Sequence, residues 1–404
     1  MAVMNVEIIR VGDYLDTLTD YHANGSYKVL KANVNLLDEE NYAVMVRTLN
    51  FERDDFSDLK YIDQHAYEFL GKSKVYPDDI LMNKIANPGS IYIMPNLNRP
   101  VSCGMNLFLL RFNNELNQRY MYYCMKNSEA YIKSFAHGTA TKTITKKEVM
   151  NLLLRIHPRN EQDKIAAFLD KIQQKIDINQ SVNENLLQQA EAIYKAWFCD
   201  RFAEDESSPW PKTTIGDITS LVVRGITPKY NDDTDQLIIN QKCIRNHMVD
   251  LTPARRHLPK AITEKWLIQG DLLINSTGEG TLGRAAQVWF VPNNLTVDSH
   301  VTIVRPKTAV LRNYIGLWGL THEAEIESLH TGSTGQTELP RERVKAMELP
   351  LPDESALSRF NELITPMTQA IVKNQQENVR LAELRDTLLP RLMSGELDVS
   401  VLDI

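Results

Sequence analysis

Two long stretches of the chain place apolar residues at alternating four- and three-residue steps. The first runs through Ile165, Leu169, Ile172, Ile176, Asn179, Asn183, Leu186, Ala190, Ile193 and Trp197. The second runs through Phe360, Ile364, Met367, Ile371, Asn374, Asn378, Leu381, Arg385, Leu388 and Leu392. A sustained 3.5-residue period predicts long helices that meet along a coiled-coil seam. Each seam carries two asparagines at its middle, and both pairs share one offset (374 − 179 = 378 − 183 = 195). A buried asparagine costs stability but fixes register, because only another polar group satisfies it. The expected result is an antiparallel pair aligned centre to centre by Asn179, Asn183, Asn374 and Asn378. Ordinary amphipathic core helices are the plainer alternative; the shared phase and shared polar centre argue against them.

The stretches before the two helices repeat a common plan. Val11-Gly12-Asp13-Tyr14 opens one unit and Ile215-Gly216-Asp217-Ile218 the other. Asp78-Asp79-Ile80-Leu81-Met82-Asn83 resembles Gly270-Asp271-Leu272-Leu273-Ile274-Asn275, each an apolar run after an acidic turn that predicts a buried strand. The small-residue loop Gly138–Thr143 resembles Gly332–Thr337, and each is followed by a strand-like run ending at Pro158 or at Pro350/Pro352. Asp200 to Pro211 is acidic with serine and proline and reads as an exposed junction. The pattern predicts α/β units, mixed and strand-rich, plus two long helices forming an antiparallel coiled coil, with a pseudo-two-fold internal repeat. The boundaries are a first globular unit at 1–157, a long helix at 158–199, the junction at 200–211, a second unit at 212–352 and the C-terminal helix and tail at 353–404.

Catalytic signatures are missing. Gly278-Glu279-Gly280-Thr281-Leu282-Gly283 matches a dinucleotide fingerprint, but a strand-like run, Ala285 to Val291, follows where a helix must open. A tight hairpin loop is the better reading. No phosphate-cradling GxxxxGK[ST] loop, no Asn/Asp-Pro-Pro-Tyr/Phe tetrapeptide of amino-methyltransferases and no HExxH motif is present, and Pro77-Asp78 lacks a following Glu-x-Lys at nuclease spacing. His137, His322 and His330 stand alone. The pattern points to a binding role.

Several loops combine groups that read nucleic acid. Arg224, Thr227, Lys229 and Tyr230 share one turn; Asn240, Gln241, Lys242, Arg245 and Asn246 pack amides with cations. Amides pair with adenine, and Arg or Lys with guanine, in the major groove. Lys84, Thr141, Lys142, Thr143, Arg284, Ser333, Thr334 and Gln336 complete the candidates, and Lys146 and Lys147 suit phosphates. For any one loop a solvated polar surface is the simpler reading; the duplicated plan adds weight to all of them together.

Composition changes this picture in three ways. A length of 404 residues calls for more than one domain. The net charge of −7 argues against strong DNA binding by the chain alone, so partners are expected to supply backbone contacts. Four scattered cysteines without a CxxC pair argue against zinc or a disulfide framework and fit a cytoplasmic protein, as do the absence of an 18-residue apolar run and of a signal peptide.

The segment Pro158-Arg159-Asn160-Glu161-Gln162-Asp163-Lys164-Ile165-Ala166-Ala167-Phe168-Leu169-Asp170-Lys171, continuing to Trp197-Phe198, resembles the central conserved region of the specificity subunits of Type I restriction-modification enzymes. Leu384-Arg385-Asp386-Thr387-Leu388-Leu389-Pro390-Arg391-Leu392-Met393-Ser394-Gly395-Glu396-Leu397 is similar to their C-terminal signature. The second half departs from the central pattern, with Pro352-Asp353-Glu354-Ser355 where Pro-x-x-Glu-Gln is expected. The resemblance implies a non-catalytic subunit that reads a bipartite, asymmetric site on double-stranded DNA. It implies two methyltransferase subunits, which would bind S-adenosylmethionine, and motor-nuclease restriction subunits as partners. A repeated-domain scaffold for other proteins is the alternative. Phe168, Leu187, Tyr194 and Phe198 widen the apolar stripe beyond one partner helix. Either Tyr194, Phe198 and Leu389 help to dock the methyltransferase, or the stripe packs on the chain's own domains.

Overall fold

The computed structural model describes residues 6–53, 55–139, 141–200, 210–258, 264–278, 280–332 and 337–397. The chain divides into two units. The first combines residues 1–175 with 380–404, and the second is residues 176–379.

The strands of the first unit are β1 (Glu7–Arg10), β2 (Leu15–Asp20), β3 (Ala43–Val46), β4 (Lys60–Ile62), β5 (Lys74–Val75), β6 (Ile80–Asn83), β7 (Ile91–Ile93), β8 (Val101–Cys103), β9 (Leu107–Phe112) and β10 (Leu153–Ile156). The strands of the second are β11 (Lys212–Thr214), β12 (Thr219–Arg224), β13 (Leu237–Ile239), β14 (Ile244–Arg245), β15 (Met248–Val249), β16 (Arg255–Arg256), β17 (Leu272–Asn275), β18 (Ala285–Gln287), β19 (Leu295–Val297), β20 (Val301–Pro306) and β21 (Glu348–Pro350).

The two units share one topology. A sheet ordered β2-β9-β6-β7 in the first matches β12-β20-β17-β18 in the second. The sheet β4-β3-β8-β5 matches β16-β13-β19, and in each the central pair (β3 with β8, β13 with β19) is parallel. Both entry strands are bulged at the same place, between Leu15 and Thr17 and between Thr219 and Leu221. Val11-Gly12-Asp13-Tyr14 and Ile215-Gly216-Asp217-Ile218 form matching single helical turns. Both acidic turns act alike. Asp79 and Asp271, each just before its buried central strand, hold Arg111 and Arg305 of the neighbouring strand through two hydrogen bonds each. A bidentate pair of this kind fixes strand register as well as satisfying a buried charge. Glu129 and Glu323 likewise each accept the backbone N–H of an edge strand, at Ile91 and Ala285.

The predicted seams form two long helices, Arg159–Tyr194 and Glu354–Met393; the first runs on into a wider π-helical turn, Lys195–Cys199. In the first unit, Ile165, Ala166 and Leu169 share a core with Leu392 and Met393. In the second, Leu187, Ala190, Tyr194 and Phe198 share a core with Leu357, Phe360, Ile364 and Ile371. Within each unit the helix segments therefore run antiparallel. Asn179 Nδ2 donates to Asn378 Oδ1 at 2.8 Å and to Glu377 Oε2 at 2.9 Å, and Asn374 Nδ2 donates to Asn183 Oδ1 at 2.8 Å.

The motif at 158–171 seats its helix on the first unit. The Gln162 side chain accepts the Asn117 N–H and donates to the His157 carbonyl, while Asp170 takes Arg119 and the Tyr123 hydroxyl. At the divergent start of the second helix, Asp353 caps the first turn by accepting the Ala356 N–H at 2.8 Å.

Candidate nucleic-acid interface

The end of the buried central strand is the site where the candidates gather, and it is built the same way in each unit. In the first, Ile85 and His137 both bridge to Thr143, which closes the loop before it. The Ile144 N–H donates to the Lys84 carbonyl, and the Ala86 N–H to the Lys142 carbonyl. In the second, Thr277 and Thr331 both bridge to Glu338, and the Leu339 N–H donates to the Ser276 carbonyl. Backbone pairing thus docks each loop foot on the strand end and leaves side chains such as Thr141 and Lys142 exposed.

Side chains at this edge differ between the units. In the first, Lys84 is buried and donates to Asp20 Oδ2 at 2.7 Å, and Lys146 reaches Asp20 Oδ1 at 3.2 Å. Burial pushes the Asp20 carboxyl up, but hydrogen bonds and charge from Lys84 and Lys146 outweigh it and hold the group below its ordinary range. Lys84, expected on the surface, therefore spends its charge inside the domain. In the second unit, Arg224 pairs with Glu338 at 2.5 Å and donates to the Leu339 carbonyl. Gln241 donates to the Thr277 hydroxyl at 2.7 Å and to its carbonyl, and His300 Nδ1 lies 2.8 Å from the same hydroxyl. Arg224, Gln241, Thr277 and His300 form one polar edge. Gly225 keeps it close to β19: a Cβ there would lie 2.0 Å from the Val297 carbonyl oxygen.

Other candidates lie elsewhere. Lys229 and Tyr230 run beside β16, where Tyr230 bridges to His257 and the Arg255 guanidinium stacks over the Tyr230 ring at 3.5 Å. Arg255 and Arg256 are exposed and extend this basic strip; the Arg-Arg doublet was the signal for them. Thr227 is exposed on the same segment. Asn240 is spent on structure, capping the Lys242 N–H and donating to the Pro253 carbonyl, while Lys242 itself is exposed. Arg284 is partly exposed after the glycine loop. Ser333, Thr334 and Gln336 lie outside the described residues.

Arg245 and Asn246 belong to the hairpin β14–β15, whose tip residues Asn246 and His247 have φ of 50° and 59°. His247 Nδ1 lies 2.5 Å from Glu191 on the first long helix, and Nε2 lies 3.4 Å from Glu323. Burial pulls the imidazole down, but the two carboxylates prevail and raise it to about 9. This hairpin therefore leans on the helix rather than on the strand-end edge.

The apolar stripe is covered within the second unit at Leu187, Tyr194 and Phe198, and Phe168 packs, partly buried, on the core of the first unit. Tyr194 and Phe198 are 1% and 2% exposed and pack with Tyr314 and Phe360. The chain's own domain, the alternative use of the stripe, takes up both rings. Leu389 is partly buried against the core of the first unit. The glycine run from Gly278 joins β17 to β18, which pair antiparallel, so no helix opens there to face a pyrophosphate.

A Type I restriction modification DNA specificity domain matches residues 7–188. That match and two curated relatives make the chain similar to the specificity subunits of Type I restriction-modification enzymes. The MjaIX specificity subunit of Methanocaldococcus jannaschii is 23% identical over an alignment of 311 residues, covering 70% of this chain and 70% of that protein. The HindI specificity subunit of Haemophilus influenzae is 21% identical, covering 80% of this chain and 83% of its own. The crystal structure of a Type I S subunit from M. genitalium shares the fold, with a TM-score of 0.55 at 15% identity over 97% of each chain. The match to a DNA specificity domain supports a role in DNA sequence recognition. Among the described residues, no helix is long and apolar enough to cross a membrane.

Proposed function

We propose that this specificity subunit reads a bipartite, asymmetric target on double-stranded DNA, one block per unit, and directs methyltransferase and restriction subunits to it without catalysing either reaction. One observation carries the reading: the same strand order is built twice, and the equivalent strand-end edges present different side chains. Two copies of one reader with different edges suit two different short blocks separated by unread base pairs. The partners are two methyltransferase subunits, which hold the S-adenosylmethionine, and motor-nuclease subunits that join for cleavage. A net charge of −7 supports shared DNA contact with those partners.

Methylome sequencing of a host with and without the chain tests this. The expected result is one methylated motif of two unlike blocks around a fixed gap, present only with the chain. A single continuous block, or an unchanged methylome, refutes it. In vitro, the purified chain transfers no methyl groups to DNA from S-adenosylmethionine until a methyltransferase is added.

A further inference from the structure

The last residue of β2 is Asp20 and the last residue of β12 is Arg224, and their strands pair with β9 and β20 at equivalent positions, Phe108 and Thr302. The two residues thus fill one slot of the repeated fold with opposite charges. Each ties its strand end to the loop foot. Asp20 binds Lys84, whose carbonyl receives Ile144, and Lys146, three residues past Thr143. Arg224 binds the side chain of Glu338 and the carbonyl of Leu339. Glu338 in turn pairs through its backbone with Thr277 and Thr331.

We propose that Asp20 and Arg224 are positioning residues for target reading, each fixing the strand-end edge of its own unit, so that one block of the DNA target depends on Asp20 and the other on Arg224. This rests on the two-block reading of the chain. The ion pairs suit the task because each is a side-chain tie added across a backbone bridge, which restricts the loop foot in the direction the bridge leaves free. The backbone after Arg224 is tied down as well, with Gly225 N–H on the Val301 carbonyl and Ile226 N–H on the Val297 carbonyl. The slots differ in net charge. Two lysines face one carboxylate in the first unit, whereas Arg224 and Glu338 cancel in the second. The first edge, with Lys142 exposed nearby, is the more attractive to phosphate.

The test is the methylome of a host expressing the full chain with its methyltransferase, scored as methylation at correct sites over sites with one wrong base in a given block. Arg224→Ala is expected to lower that ratio for one block by about tenfold or more, the scale of one good base contact, and to spare the other block. The charge swap R224E/E338R rebuilds the ion pair but not the bond to the Leu339 carbonyl, and is expected to recover part of the ratio, which a general loss of folding would not allow. Lys146→Ala keeps the buried Lys84–Asp20 pair and so folds even if Asp20→Asn does not; it lowers the ratio for the opposite block. The proposal is overturned if both blocks fall together, or if Arg224→Ala and Lys146→Ala leave both ratios unchanged. A wild-type chain that yields no two-block motif refutes the underlying reading instead, and the positioning role with it.

Discussion

Phe198→Ala decides whether the wide apolar stripe is core or docking surface. The ring is 2% exposed and meets Tyr314 and Phe360 with centroids 4.9 Å away, Tyr194 at 5.4 Å and Trp210 at 5.5 Å. Truncating such a phenylalanine costs about 3–5 kcal/mol through lost transfer energy and the cavity left behind, and its edge-to-face partners place it toward the upper end. All five tryptophans, Trp197, Trp210, Trp266, Trp289 and Trp318, lie within residues 176–379, so tryptophan fluorescence, excited beyond the tyrosine absorption band, reports on the second unit. With a urea slope of about 2–3 kcal/mol per molar, the fluorescence midpoint should fall by roughly 1–2 M. A midpoint within ~0.2 M of wild type, accompanied by loss of the methyltransferase on co-purification, would refute the core assignment and return Phe198 to the surface.

His247 gives a pH signature. Its folded value of about 9 lies above the ordinary 6.5, so its stabilisation is fully present below about pH 6.5 and is lost as pH rises through 9. The second unit should lose on the order of 2–3 kcal/mol between pH 6 and 10 by fluorescence-monitored urea unfolding, and a His247→Gln chain should lack that slope. Asn183→Leu strands the Asn374 amide and should cost about 1–2 kcal/mol in thermal or urea unfolding. The double change N183L/N374L should recover most of this, because two apolar groups at a seam need no polar partner; a double variant no better than the single one would show that the pair does not set the seam's energetics.

The helices, their seam and the duplication were legible because they are periodic. Spacing alone reports a seam, and the order of the Gly-Asp turns, acidic turns and small-residue loops reports a repeat. The fate of single charges was not legible. Nothing near Lys84 says that Asp20, sixty-four positions away, buries and neutralises it. His247 gave no local sign of its partners, since Glu191 and Glu323 lie in distant segments. The stripe at Tyr194 and Phe198 was visible as apolar, but an apolar face does not name what covers it. Asn240, grouped with the base readers for its amide, caps a turn instead, a use that asparagine serves as readily as recognition.

The division of the chain sets an order of events during synthesis. Every residue of the second unit, 176–379, has been made before residues 380–404, which belong to the first. Leu392 and Met393 are 2% and 6% exposed within the first unit's core. That core stays open along one side of the segment at Ile165–Leu169 until Leu392 and Met393 leave the ribosome, after every residue of the second unit has been made. Of the two units, the one begun first is thus completed after the other, and it carries its unfinished apolar groove while residues 176–379 are made, when chaperones and proteases have access to it.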